Sequence, residues 1–465
     1  MDLLNHLAPI ELPGDPISAD YGAKLLSDLG AAVRPLHEHS ECHPAQLWRE
    51  TGLEALTGLP EADATCCPVP LPNCAQGVLL ALRALAAAGP LKNPSALIDV
   101  DAAMLLTERA HLMGLSRQGQ SSPGGSCQLL TCKNGAIALN LPRESDWQLL
   151  PAWLEQPVDR HWAAIAEAVS CRCRLQLIEQ GRLLGLAVAD AHLTPPTDCR
   201  WLGSHYQTKP SLPAGNAPRV LDLASLWAGP LCSHLLQGLG ADVIKVESTK
   251  REDGARNGNA DFFDLLNQNK RSVALPLHTS EGHAQLRQLI NRCDIVIEGS
   301  RPRALRQMGI LAEDCLEQKP GLSWISICGY GRDEPQANWI GFGDDAAAAA
   351  GLPAIMQQAC GQRLMVGDAI ADPLTGMHTA LAAYASWLSG GGRLLSLSLH
   401  STVAHCISAT APAHGDYRQR FEQWREVLQD CPEPPTSFTT RTARTKAADL
   451  GAHTQSVLQE SSALC

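Results

Sequence analysis

A single aspartate stands at the head of a long apolar segment, in the run Ile370-Ala371-Asp372-Pro373-Leu374-Thr375-Gly376-Met377-His378. Asp followed by Pro is ordinary chemistry for opening a helix. The side-chain oxygen accepts a free amide hydrogen, and proline stands in the first turn, where its missing N–H costs nothing. Behind it Leu374, Met377, Leu381, Tyr384, Ala385 and Leu388 recur at helical intervals, so a helix capped by Asp372 is predicted. A carboxylate at a helix N-terminus is favoured in its charged form by the dipole and the free N–H groups. Such a group can cap, or it can attack an electrophile, and the local pattern allows both.

Other reactive side chains offer less. The 17 cysteines are scattered. The close pairs Cys66–Cys67 and Cys171–Cys173 have no second pair at zinc-ligand spacing, so no metal site is predicted. An odd number of cysteines without a framework fits buried thiols in a reducing cytoplasm better than disulfides. Asp344 and Asp345 precede an alanine run and read as an N-cap and a first-turn acid.

These residues must be held by a chain of 465 residues, enough for two or three domains, with 45% hydrophobic and 18% charged residues to build real cores. No apolar run reaches membrane-spanning length, and the N-terminus lacks a basic stretch followed by an apolar one, so neither a membrane span nor a signal peptide is expected. A net charge of −11 argues against nucleic acid or an acidic membrane as partner. It leaves room for an anionic ligand in a local basic pocket.

The chain also resembles itself. "YGAKLLSDLGAAVRPL" (residues 21–36) matches "LCSHLLQGLGADVIKV" (231–246), with Leu25, Leu26, Leu29, Gly30, Ala31 and Val33 falling on Leu235, Leu236, Leu239, Gly240, Ala241 and Val243. Each reads as an amphipathic helix, a glycine stop and an extended apolar run. "RVLDLASL" before the second copy completes a strand–helix–strand unit of the parallel-sheet kind. Further on, residues 72–89 parallel residues 371–391, setting Asn73 opposite Asp372, and "ALIDVDAAMLL" parallels "RLLSLSLHSTV". Only the second copy could then support a carboxylate reaction. An insert with turn signals occupies roughly residues 104–195, and the Pro/Gly-rich stretch 208–218 reads as a linker.

Five stretches occur in the order seen in family III CoA-transferases, a group related to the α-methylacyl-CoA racemases: "RVLDLASLWAGPLCSHLLQGLGADVIKVE", "NQNKRSVALPL", "CDIVIEGSRPRALRQMGI", "SWISICGYG" and "ADPLTGMHTALAAYASWL". The closing "ADLGAHTQSVLQE" is similar to the family's C-terminal stretch, and "RQGQSSPGGSCQLLTCKNGAIALNL" to its small domain. The resemblance implies an α/β fold: a Rossmann-like parallel sheet with a separate smaller α+β domain. The implied division is a truncated Rossmann-like segment (1–103), a small domain (104–207), a linker (208–218), a large domain (219–415) and a C-terminal return segment (416–465).

The same resemblance makes Asp372 the catalytic residue and coenzyme A or an acyl-CoA the substrate, with no permanently bound cofactor. It puts Leu226, Trp227, Lys250, Arg251, Leu275, His278, Arg301 and Arg306 around the CoA. A small carboxylic acid is the other substrate, and the assembly is a homodimer or a pseudo-dimer within one chain. The implied activity is acyl-CoA:carboxylate CoA transfer through a covalent aspartyl intermediate. The alternatives are a catalytically silent CoA-binding or partner subunit, or an acyl-CoA racemase or isomerase. The racemase pattern has a His–Asp pair where this chain reads Gly341-Phe342-Gly343-Asp344-Asp345. Family cations are replaced by Ser248, Gln307 and His278, with Lys250, Arg251 and Arg306 nearby.

Overall fold

Residues 10–37 form a parallel strand–helix–strand unit: β1 (Ile10–Gly14), α1 (Pro16–Asp28) and β2 (Val33–His37). Asp15 opens α1 by accepting the Ser18 N–H, and Gly30, at φ +96°, stops it in the left-handed conformation that glycine adopts without a steric penalty. β1 was not evident in the sequence because of Pro13; the two-stranded sheet is all edge, where proline is tolerated. The architecture is that of a computed structural model, which describes residues 1–38, 42–62, 64–90, 100–194, 197–213, 215, 217–431 and 440–462. Part of the "ALIDVDAAMLL" match, and residues 195, 214 and 216, lie outside the described residues.

Next come α2 (Leu71–Ala88) and the short α3 (Glu108–Leu112). A three-stranded antiparallel sheet follows, of β3 (Cys127–Cys132), β4 (Gly135–Asn140) and β5 (Ala187–Asp190). Its helices close a core of their own around Leu139, Trp153, Ile165 and Val188.

β6 (Gly203–Gln207), although inside the expected small domain, crosses to the large sheet as its antiparallel edge strand beside β12 (Arg393–Ser398). The rest of that sheet is parallel: β7 (Arg219–Asp222), β8 (Asp242–Ser248), β9 (Arg271–Leu275), β10 (Ile295–Glu298) and β11 (Ser323–Cys328). The order is β6-β12-β11-β10-β7-β8-β9. These strands are buried on both faces, as parallel sheets covered by helices must be. Four helices position the site: α4 (Ala228–Gly238), α5 (Pro302–Gln307), α6 (Gly343–Ala349) and α7 (Ala371–Leu388).

The chain lays β8 and β9 on one side of β7, then returns to lay β10, β11 and β12 on the other. The loops leaving β7 and β10 therefore diverge, which opens a crevice at the C-terminal ends of the strands, the usual ligand position in open α/β sheets.

Three expectations need correction. The segments 1–103 and 219–415 are not separate in packing, because Leu25, Leu82 and Leu381 belong to one continuous core and α2 lies against α7. The stretch 208–218 is no free tether: Thr208 and Ser211 donate backbone hydrogen bonds to Gly392 and Gly390, at 2.8 and 2.7 Å. Finally, Leu71–Ala88 is long and apolar enough to cross a membrane; here it is a core helix packed between α1 and α7. At the far edge, the N–H of Ala274 in β9 is taken by Thr454 Oγ1 (2.9 Å), and the C-terminal segment covers what would be an open strand.

The offset that aligns Leu25 with Leu235 carries the β1–β2 pair Ile10–Val33 onto the β7–β8 pair Val220–Val243. The helix contacts follow the same rule. A Cβ on Gly77 of α2 would meet the Ser18 carbonyl of α1 at 2.6 Å, and one on Gly376 of α7 would meet the Ala228 carbonyl of α4 at 2.7 Å.

Candidate active site

Asp372 is the second residue of α7, and it does not cap that helix. The cap position is Ile370, already helical in backbone, with no side-chain hydrogen bond. The preceding residue, Ala369, has φ +43°, and α7 begins two residues earlier than an Asp372 cap would set it. The carboxylate lies instead at the start of α4, where the nearby Ala228 amide favours its charged form. In the first unit Asp15 caps α1, and Asn73 donates to Asp15 Oδ1 at 3.1 Å.

The approach of α6 confines the carboxylate further. Gly343 lies so close that a Cβ there would stand 2.2 Å from Asp372 Oδ2 and 2.4 Å from the Ala369 carbonyl. An ionised Asp372 was expected from the helix terminus alone. Burial pushes its pKa up to about 7, against the opposing pull of Arg109 and the Ala228 N–H. The helix dipole is outweighed because the group is removed from water and stands among other acids.

Those acids come from α6 and from the turn before α7. Asp344 accepts the Ala369 N–H at 2.8 Å and is pushed up to about 7 by burial and by Asp368. Asp345 accepts from Asn140 Nδ2, Tyr330 OH and the Phe342 N–H at 3.0, 2.6 and 2.9 Å; burial still raises it to about 6. Neither is the N-cap that the sequence suggests, since Phe342 holds that position. Asp345 binds back to the cap residue's amide and, through Asn140, joins the small sheet to the site.

Arg109 of α3 offsets these charges. Its Nε and Nη2 hold both oxygens of the fully buried Asp368, at 2.7 and 2.6 Å, and its guanidinium lies 5.1 Å from the centre of the Trp227 ring. Burial disfavours its charge, but Asp368, Asp344 and Asp372 together hold its pKa above the usual value. Sequence reading missed Arg109 and Asp368, because nothing near either signals a partner more than 250 residues away.

Most of the expected CoA contacts fall in the crevice. Leu226, at φ +71° and 43% exposed, projects from the loop after β7, with Trp227 buried beside it against Phe262. Buried charges beneath fix that loop: Lys245 Nζ donates to the Ala224 carbonyl (2.9 Å) and to Asp253, which also accepts the Leu226 N–H (2.9 Å). Lys250 and Arg251 are exposed after β8, His278 is exposed after β9, and Arg301 opens α5 after β10. Burial lowers the Arg301 pKa, as do the nearby charges of Arg303, Arg143 and Arg251. Four cations therefore gather at the β10 side, and Arg301 and Arg303 border a groove of about 690 Å³.

Two expected contacts do not fit. Leu275 is fully buried, its side chain committed to the core beside Val246 and Val273. Arg306 faces Glu313 at 3.9 Å and is not among the cations acting on Arg301. Among the described residues no group of His, Cys, Asp and Glu is arranged to hold a metal.

Residues 217–441 match the model of CoA-transferase family III. The match begins at β7 and takes in the crevice, α6 and α7. This part of the chain is similar to CoA-transferase family III. The family III segment is 31% identical over 216 residues to the succinyl-CoA–D-citramalate CoA-transferase of Chloroflexus aurantiacus, covering 43% of this chain and 54% of that one. It is 32% identical over 198 residues to the succinate–glutarate CoA-transferase of Agrobacterium fabrum (39% and 50%). To a formyl-CoA:oxalate CoA-transferase of Escherichia coli it is 33% identical over 196 residues (40% and 47%). The chain spans about half the length of the curated relatives it matches. A solved CAIB/BAIF family protein from Brucella suis is 24% identical, with a TM-score of 0.37, over 49% of this chain and 60% of that one.

Proposed function

We propose that this protein moves coenzyme A between carboxylic acids, with Asp372 as the covalent nucleophile. An Asp372 oxygen attacks the thioester carbonyl; the C–S bond breaks, leaving a mixed anhydride and CoA thiolate. The thiolate attacks the aspartyl carbonyl, the first acid departs as carboxylate, and CoA is held as an aspartyl thioester. An acceptor carboxylate reverses both steps, so no net proton transfer is required.

The observation that carries this reading is the posture of Asp372. Its carboxylate is pressed against Gly343 where no side chain would fit, at the start of α4 and close to the loop bearing Leu226 and Trp227. A pKa near 7 leaves much of it ionised and nucleophilic at neutral pH. The test is isotope exchange: with succinyl-CoA and labelled succinate alone, label should enter succinyl-CoA with no second acid present. CoA binding without exchange would support a silent binding subunit instead. α-Proton exchange without acid exchange would indicate a racemase, but Gly341 to Gly343 supplies no second base.

The shared pairing register and the paired glycine contacts support a further reading: the two units are degenerate copies, and one chain does the work of an interlocked dimer. Asn73 then marks the copy that no longer reacts.

A further inference from the structure

The family III match begins at residue 217, yet the cation acting on Asp372 comes from residue 109, in α3. Arg49, Arg256 and Arg441, which hold a carboxylate through Nε and Nη2, each also use Nη1 in a further hydrogen bond. Arg109 does not: Nε and Nη2 are spent on Asp368, whereas Nη1 has no hydrogen-bond partner among the described residues. The side chain remains 27% exposed although Asp368 is fully buried, so the unused edge is reachable. The opposite constraint comes from Trp227, whose ring the guanidinium overlies and whose Nε1, itself buried, has no partner either. Arg109 is therefore held by its back edge and its face, with one N–H pair left over and its charge within electrostatic reach of Asp372.

Charge explains why a spare donor matters at this point. An incoming acid must bring a carboxylate towards Asp372, Asp344 and Asp368, and these repel it unless a cation receives it. A guanidinium with a free edge is the side chain best shaped for that task.

We propose that Arg109 is the substrate-acid receptor, its Nη1 binding the carboxylate of the acid that enters or leaves at Asp372, with Asp368 and Trp227 holding it in place. The site is then incomplete without the segment that precedes the family III match. This rests on the transferase reading for its meaning, but acid binding can be measured without turnover.

The probe is succinate, titrated calorimetrically into the full-length protein. Arg109→Gln alone would strand the buried Asp368 charge and could unfold the protein, so the decisive variant is R109Q/D368N, which removes the pair together and leaves the net charge unchanged. Succinate binding should weaken at least tenfold in R109Q/D368N and several-fold in Arg109→Lys, which keeps the charge but loses the fork. CoA binding, measured in parallel, should change less than threefold in both. Equal succinate affinity in parent and double variant overturns the proposal, as does a common loss of succinate and CoA binding, which would mark the pair as structural. A failure of the transferase reading looks different: the parent would bind succinate through Arg109 but show no label exchange.

Discussion

On the proposed reading Asp372 attacks a thioester, and Asp372→Asn tests that role. The amide is nearly isosteric with the carboxyl group, so the variant should fold and bind CoA but give no exchange. Because it also removes a buried charge, it should be more stable than the parent at pH 8 by roughly 1–3 kcal/mol, measured by urea unfolding. The sign follows from the raised pKa. In the folded state the carboxyl holds its proton up to about 7, where the unfolded chain has already lost it, so its contribution to stability falls as pH rises from about 4 to about 7. Activity should run the other way, rising through pH 7 as the nucleophile ionises. Gly343→Ala is the companion test: a Cβ 2.2 Å from Asp372 Oδ2 should cost about 1–3 kcal/mol and abolish exchange. The position of Asp372 was legible in the Asp-Pro pattern and the apolar spacing behind it. Its place at the start of α4 was not, because Ala228 lies nearly 150 residues earlier.

At the scale of elements, the parallel strands and α7 could be read from their apolar periods, and the crevice follows from the order in which those strands are laid down. Two things could not be read. β6 has the composition of a surface strand, and only its pairing with β12 takes it out of the small domain. Leu275 looks available in a strand-end motif, yet its side chain is fully buried in the core. The cations at the crevice make a graded prediction. Arg251→Ala and Arg301→Ala should each weaken CoA binding by roughly 1.5–3 kcal/mol, as expected for a lost charge-assisted phosphate contact. Arg306→Ala, with its side chain turned to Glu313, should change it by less than about 0.5 kcal/mol. Calorimetric titration with CoA checks all three, and a large effect at Arg306 would show that the phosphates lie along α5 instead.

Across the whole molecule, matched leucines and glycines suggest a repeat, but the sequence does not show how the two stretches pack. One core draws residues from both, including Leu3, Leu82, Leu381 and Leu428. α2 supplies one wall of it and α7 the other, and α3, from the stretch that follows the first segment, brings Arg109 to Asp368. Proteolytic nicking near the exposed Leu212 should therefore leave two fragments that stay associated through gel filtration and keep their activity. CoA should bind once per chain. The most direct test of the central claim is peptide mapping after hydroxylamine trapping of protein incubated with succinyl-CoA. An aspartyl thioester would convert Asp372, and no other carboxylate, into a hydroxamate, and none would form in the Asp372→Asn variant. Label exchange with no modification at Asp372, or the same hydroxamate elsewhere in both proteins, would contradict the account.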